Sequence, residues 1–207
     1  MKSLTNLKHI QTEYSQKTLR GLSHLKAKGI FSVVLAKKEG ISSSQLSRLT
    51  SQGKIIRIRN GLYIHPDSKI NPKDYDFSAA CFYFGPKSVI GGMSALFYHG
   101  LIEQVPRKIW VIVFYSQKSK NKLYRCLRTQ TNPSIAIEDH SYFRITNVER
   151  TLVESLRYSS KIGARIAIKA VRTAINEGKT TETKIARIAT ELRMRRVIEK
   201  YWDAIVL

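Results

Sequence analysis

Acidic residues and cysteines are scarce in this chain, and each shortage narrows what the protein can be. The 207 residues include 15 Asp and Glu against 36 Lys and Arg, which gives a formal net charge of +21. Such an excess repels itself unless a polyanion or an acidic partner balances it, and nucleic acid is the commonest such partner. Cys81 and Cys126 are the only cysteines, so we expect neither a disulfide framework nor a four-thiolate zinc site. This low cysteine count is what we expect of a protein that is located in the reducing cytoplasm.

Long apolar runs are also missing. The longest, IWVIVFY at 109–115, has the length of a strand and is far too short to span a bilayer. The N-terminus MKSLTNLKHIQ lacks a continuous apolar stretch and a small-residue cleavage site, so we expect no signal peptide and no membrane partner. Hydrophobic residues nevertheless make up 43% of the chain, which is enough for a folded core and excludes a disordered protein.

Positive charge is abundant, and it is concentrated near the N-terminus. Residues 1–66 include 12 basic and 2 acidic residues, a net charge of +10, whereas residues 67–160 have a net charge of +5 and residues 161–207 of +6. The segment HPDSKINPKDYD at 65–76 contains two prolines and no periodic pattern, which predicts a linker. We therefore expect a DNA-binding domain at 1–66, a linker at 67–76 and a second domain at 77–207.

Three short helices are predicted in the first domain. KTLRGLSHLKAK at 17–28 has leucines three residues apart and is followed by Gly29, which ends the helix. IFSVVLAKKEG at 30–40 is interpreted as a second helix with Ile30, Phe31 and Val34 among its apolar residues. The third helix packs with Leu46 and Leu49 and begins at one of three serines that are all good N-caps, namely Ser42, Ser43 and Ser44.

A change of hydrophobic period from 3.6 to 2 follows in KIIRIRNGLYIHP at 54–66, which predicts a two-stranded hairpin. Asn60-Gly61 favours a type I′ turn, in which both residues have positive φ. Alternation along the strand would place Arg57 and Arg59 on one face of this ribbon and the isoleucines on the other. Three helices followed by such a ribbon are typical of a winged helix-turn-helix domain.

This layout suits a DNA groove. A third helix of roughly ten residues is about 15 Å long and fits a major groove about 12 Å wide, and its N-terminus offers free N–H groups to a phosphate. Its polar side chains and the basic ribbon would contact base edges and phosphates. The candidate DNA-binding residues are Lys37, Lys38, Ser42, Ser43, Ser44, Gln45, Arg48, Lys54, Arg57, Arg59 and Asn60. The alternative is that the serines only cap the helix and that the basic hairpin is a solvated edge.

The second domain is predicted to be mixed α/β with a helical C-terminus, so the fold class of the whole chain is α+β. KIWVIVFY is a predicted buried strand and SIAIEDH and YFRIT are short strands, although Glu138-Asp139-His140 itself is interpreted as a turn rather than a metal site. Asn147 is the expected N-cap of a helix. We expect His99 to cap the last carbonyls of its own helix, and Glu149 and Arg150 to form either a structural ion pair or a cap-and-dipole arrangement.

Motifs of catalysis or cofactor binding are not found. GGMSALFYHG lacks the lysine and the spacing of a P-loop, the acidic residues follow no metal-binding signature, and Cys81 is interpreted as a core thiol. We therefore expect no enzyme, no cofactor and no metal ion. A candidate second basic patch, which would bind DNA, RNA or nothing, consists of Lys118, Lys120, Lys122, Arg125 and Arg128.

Four segments together resemble one protein family. They are GKIIRIRNGLYIHP at 53–66, GGMSALFYHGL at 91–101, RITNVERTLVESLR at 144–157 and KAVRTAINEGKTTETKIARIATEL at 169–192. Their order along the chain is similar to that in the AbiEi family of antitoxins, regulators of bacterial phage-defence loci of the type IV toxin–antitoxin kind. The family often has an acidic residue where Glu154 stands.

The resemblance implies a function for each domain. The N-terminal domain would bind an operator, often an inverted repeat, and repress its own promoter. The C-terminal domain would counteract a nucleotidyltransferase-like toxin without forming a tight complex with it. The protein would then associate with itself on DNA and be located in the cytoplasm at the nucleoid. Two alternatives remain, a winged-helix regulator without an antitoxin role and a basic RNA-binding or interaction protein.

Overall fold

The computed structural model describes residues 14–114, 116–129 and 134–206, and these belong to two compact units, Met1–Ala79 and Ala80–Leu207. Each unit combines helices with its own sheet, which confirms the predicted α+β class. Among the described residues, no helix is both long enough and apolar enough to cross a membrane.

The first unit is a small helical domain with a three-stranded sheet. Its elements are α1 (Gln16–Lys28), β1 (Ile30–Ser32), α2 (Val33–Lys38), α3 (Ser43–Ser51), β2 (Ile56–Arg59) and β3 (Leu62–Ile64). The antiparallel sheet has the order β1-β3-β2. This arrangement is a winged helix-turn-helix domain, as the sequence predicted. Its core contains residues from every helix and strand except β2.

The predicted second helix is too long at its N-terminal end. Ile30 and Phe31 lie in β1, where they pair with Ile64 and Tyr63 of β3. The helix begins only after Ser32, whose hydroxyl accepts a hydrogen bond from the backbone N–H of Leu35 at 3.2 Å. The prediction failed because β1 exists through its pairing with a strand more than 30 residues later, which local periodicity does not reveal.

The hairpin is present, but it is not closed by a type I′ turn. Gly61 has a φ of +76°, whereas Asn60 is not among the described residues with positive φ. The pairing shifts register between Arg57 and Arg59, so that Arg57 lies opposite Tyr63 and Arg59 opposite Leu62. Because neighbouring residues of β3 point to opposite faces, the two arginines do not share a face as predicted.

The helix α1 packs closely against the C-terminal end of α2. A Cβ atom added to Gly21 would lie 2.3 Å from the carbonyl oxygen of Glu39, so only glycine fits there. On the same side, His24 Nδ1 lies 3.0 Å from Glu39 Oε2. Glu39 is therefore held against α1 by both its backbone and its side chain.

The second unit is built on a five-stranded mixed sheet of order β6-β5-β4-β8-β7. A 3-10 turn at Pro72–Asp74 leads into α4 (Tyr75–Phe84), which crosses the division between the units. The remaining elements are β4 (Val89–Ile90), α5 (Gly92–Tyr98), β5 (Ile109–Phe114), β6 (Tyr124–Thr129), β7 (Ile137–His140), β8 (Phe143–Thr146), α6 (Val148–Arg157), α7 (Ser159–Ile162), α8 (Ala164–Asn176), α9 (Glu182–Glu191) and α10 (Arg195–Val206). The core lies between the helices and the sheet.

An ion pair is buried in this core, but with a different partner from the predicted one. Arg150 Nε donates to Glu154 Oε1 at 3.2 Å, and the two side chains are 0% and 1% exposed. Burial raises the pKa of Glu154, and the neighbouring Arg150 opposes this rise. Glu149 instead accepts a hydrogen bond from Thr180 Oγ1 at 2.8 Å. The predicted Glu149–Arg150 ion pair is therefore wrong, because neighbouring helical residues point in different directions. The alternative cap-and-dipole arrangement agrees with the position of Glu149 in the first turn of α6.

Two further local predictions need correction. His99 Nε2 bonds the carbonyl oxygen of Thr146 at 2.7 Å and so links its helix to the end of β8 instead of capping its own carbonyls. Glu138-Asp139-His140 is part of β7 and not a turn, since each residue pairs with β8. The predicted N-cap Asn147 is confirmed, because its side chain accepts from Arg150 N at 2.9 Å.

Candidate nucleic-acid interface

The N-terminus of α3 is closed by a capping box. Ser42 Oγ accepts from the backbone N–H of Gln45 at 3.2 Å, and Gln45 Oε1 accepts from the backbone N–H of Ser42 at 2.7 Å. The side-chain nitrogen Nε2 of Gln45 donates a hydrogen bond to Thr18 Oγ1 of α1 at 2.9 Å. Gln45 therefore holds α3 to its cap and to α1. The spacing Ser-x-x-Gln was visible in the sequence and is the signal for this role.

The solvent-facing side of α3 consists of small polar groups and one arginine. Ser47 Oγ donates to the carbonyl of Ser43 at 3.2 Å, and Ser51 Oγ donates to the carbonyl of Arg48 at 2.9 Å, so both hydroxyl oxygens lie close to the helix surface. Short side chains let a helix approach a groove closely. Ser47 and Ser51 were missing from the sequence-based set. The α3 face comprises the exposed residues Ser43, Ser44, Ser47, Arg48 and Ser51.

A buried tyrosine organises the cations beside this face. The guanidinium of Arg48 lies 4.4 Å from the ring centroid of Tyr14, and Lys54 Nζ lies 4.9 Å from the same centroid. The Tyr14 hydroxyl donates to Gln52 Oε1, which ties the tyrosine to the end of α3. Packing on the ring of Tyr14 positions both cations. Sequence reasoning missed Tyr14 because it precedes the first periodic segment.

The two arginines of the wing have different surroundings. Arg57 is exposed and donates to the side chain of Asn60 in the turn between the strands. Arg59 is only 21% exposed and forms an ion pair with Asp76. The structure therefore places Arg57 and Asn60 together on the wing and gives Arg59 an acidic partner within its own unit.

Three acidic residues of the first unit are each paired with a cation or a histidine. Glu39 contacts His24, Asp76 contacts Arg59, and Asp67 Oδ2 lies 2.6 Å from Lys26 Nζ. The Lys26 ammonium lowers the pKa of Asp67. The last turn of α2 presents two exposed cations, Lys37 and Lys38.

The candidate second basic patch is divided by the sheet. Arg125 and Arg128 both lie in β6, but they are three residues apart and so point to opposite faces. The Arg125 guanidinium lies 4.5 Å from the ring centroid of Trp110. Lys118, Lys120 and Lys122 lie in the loop before β6 and are exposed. The five residues thus do not form one continuous surface on the sheet.

Candidate catalytic groups do not assemble in the described part of the chain. No group of three or more His, Cys, Asp or Glu residues there is arranged to hold a metal ion. Cys81 Sγ lies 3.9 Å from the carbonyl oxygen of Arg144, and burial raises the pKa of this thiol. A thiol with a raised pKa is a poor nucleophile.

The comparison with protein families finds a match within the first unit. Residues 23–64 match the family described as "Transcriptional regulator, AbiEi antitoxin". The resemblance inferred from the sequence is confirmed over this segment, which holds every candidate DNA-binding residue. The match supports a DNA-binding role in transcription regulation with an antitoxin character, and the AbiEi antitoxins are regulators rather than enzymes.

A solved structure shares the fold over most of the chain. The crystal structure of the RV2827C protein from Mycobacterium tuberculosis aligns with a TM-score of 0.53 and 11% sequence identity, and the alignment covers 86% of this chain and 72% of that chain. At this identity the similarity concerns the fold alone. No curated protein matched the chain.

Proposed function

We propose that this protein is an AbiEi-type transcriptional repressor that binds operator DNA, an inverted repeat, through α3 and the wing and thereby represses its own promoter. The observation that carries the proposal is the α3 face, on which four serines and Arg48 are exposed without any acidic residue. The neighbouring cations Lys37, Lys38 and Lys54 would contact phosphates on either side of the groove. The chain would act in the cytoplasm at the nucleoid and associate with itself on the DNA.

An acidic residue in the middle of the α3 face tests this proposal. Ser47→Glu places a carboxylate against the DNA phosphates and should weaken binding to the DNA upstream of the gene by at least about tenfold, because like charges cost several kcal/mol at an interface. Ser160→Glu is the matched control, since Ser160 is an exposed serine of α7 and the change in net charge is the same. Equal affinity of the two variants in gel-shift titrations at fixed salt would contradict the proposal.

We further propose that the second unit, residues 80–207, counteracts a nucleotidyltransferase-like toxin without forming a tight complex. This part rests on the resemblance of the segments at 91–101, 144–157 and 169–192. Co-expression with such a protein from a neighbouring reading frame should restore the growth of cells that the toxin arrests. Arg48→Ala should abolish repression and leave this growth rescue intact. Loss of both activities in the same variant would contradict a division of labour between the units.

A further inference from the structure

The second unit has an aromatic surface that duplex binding by the first unit does not use. Tyr83, near the end of α4, is 54% exposed, and its ring stacks on that of the buried Tyr124 at a centroid distance of 5.4 Å. Phe84 contacts both rings edge-on, at 4.9 Å from Tyr83 and 5.2 Å from Tyr124. Tyr83 is thus held in place by two rings while half of its surface faces solvent.

A loop with three lysines begins and ends beside this aromatic cluster. Gln117 Nε2 donates to the carbonyl of Phe84 at 3.1 Å, and the loop ends where β6 begins at Tyr124. Asn121 stabilises the loop from within, since its side chain accepts from Leu123 N at 3.0 Å. Within the loop the exposed cations are Lys118, Lys120 and Lys122.

The chain segment that contains the loop has charge of one sign. Residues 104–137 include seven basic residues and no acidic residue. A positively charged loop whose two ends are fixed beside an exposed, supported aromatic ring is the arrangement that binds unpaired nucleotides, because the base stacks on the ring and the lysines neutralise the phosphates. A base-paired duplex hides the faces of its bases and cannot stack on such a ring.

We infer that Tyr83 and the loop 117–123 form a binding site for single-stranded nucleic acid. Any base can stack on the tyrosine, so the site selects unpaired strands and not a sequence. The site consists of residues of the second unit, whereas the proposed duplex site consists of residues of the first unit, and the inference does not depend on the duplex proposal. A peptide partner would also cover a tyrosine, but the absence of acidic residues between Glu103 and Glu138 favours a polyanion.

Labelled strands of about twelve nucleotides test the role of Tyr83 by fluorescence anisotropy on the full-length protein. Oligo(dT) and oligo(U) should bind at least about fivefold more tightly than a base-free phosphodiester strand of the same length, since stacking on an aromatic ring adds to the phosphate contacts. Tyr83→Leu should remove this difference and Tyr83→Phe should keep it. Phe97→Leu is the matched control, because Phe97 is another partly exposed aromatic residue of the same unit.

The lysines are tested through the salt dependence of the same binding. Replacing Lys118, Lys120 and Lys122 with glutamine should lower the slope of log affinity against log salt by about two, since each phosphate contact to a single strand contributes about 0.7. The same change at three exposed lysines of α8, α9 and α10 (Lys169, Lys184 and Lys200) should leave the slope nearly unchanged.

Three outcomes would overturn this inference. They are equal binding of base-bearing and base-free strands, full affinity in Tyr83→Leu, and photocrosslinks from bromouridine strands to the wild-type protein that fall only in the first unit. Binding of a peptide at Tyr83 without binding of either strand would assign the surface to a protein partner. Arg48→Ala should weaken duplex binding alone, so that a failure of the duplex proposal remains distinct from a failure of this one.

Discussion

At the residue scale, Gln45 shows how one side chain can look functional and act structurally. It links the α3 cap and Thr18, and both bonds are lost in Gln45→Ala. We expect this change to lower the free energy of unfolding by about 1–2 kcal/mol in urea titrations, as for other lost caps and buried hydrogen bonds. Ser47→Ala, two residues later, should stay within about 0.5 kcal/mol of the wild type. Equal stability of all three proteins would show that the capping box contributes nothing.

Gly21 provides a test of the contact between α1 and α2. Alanine normally stabilises a helix relative to glycine by about 1 kcal/mol, but a Cβ at this position would lie 2.3 Å from the Glu39 carbonyl oxygen. We expect Gly21→Ala to be destabilising by at least about 2 kcal/mol, because the helices must move apart. Thermal unfolding of the variant measures this effect. A gain in stability, as helix propensity alone predicts, would contradict the close approach.

The buried pair Arg150–Glu154 can be compared with an exposed pair of the same spacing, Arg187–Glu191. Glu154→Leu leaves the arginine without its carboxylate and should cost about 3–5 kcal/mol of unfolding free energy. Adding Arg150→Met should recover part of this loss, because no charge then stays buried. Glu191→Leu should cost less than about 1 kcal/mol. A similar cost for Glu154→Leu and Glu191→Leu would show that burial does not matter for this pair.

At the scale of elements, the sequence predicted the helix starts and turns that depend on local residue spacing. It missed the strand features that depend on hydrogen bonding to a distant strand. The three serines located the start of α3, and Asn60-Gly61 located the turn of the wing. The strand character of Ile30 and Phe31 was missed because it requires β3 as a partner. The register shift in β2 was missed for the same kind of reason, since alternation along one strand does not show which residues of the next strand lie opposite.

The register shift in β2 changes what we expect from the two arginines of the wing. Arg57→Ala should weaken binding to all DNA sequences alike and lower the salt slope by about 0.9, the contribution of one phosphate contact to duplex DNA. Arg59→Ala should change the slope little, because Arg59 is paired with Asp76. Affinities measured at several salt concentrations separate the two cases. Equal slopes for the two variants would show that the register shift has no consequence for binding.

At the scale of the whole molecule, the two units differ in net charge and in the size of their cores. The first 66 residues have a net charge of +10 and include the segment that matches the AbiEi antitoxins. The second unit has a larger core than the first. Its lysine loop is joined to the helix of Tyr83 by the hydrogen bond from Gln117 to the carbonyl of Phe84. Composition predicted a nucleic-acid partner for the chain, but only the structure assigns the cations to particular helices, strands and loops within each unit.

The most direct test of the central claim is the affinity of the full-length protein and of Arg48→Ala for the upstream duplex and for a shuffled duplex at the same salt concentration. We predict that Arg48→Ala weakens binding to the upstream duplex by about 5- to 150-fold, as expected when one base-reading side chain is lost, and changes binding to the shuffled duplex far less. Arg165→Ala, which removes an exposed arginine of α8, should bind both as the wild type does. Unchanged affinity of Arg48→Ala for the upstream duplex would contradict the account.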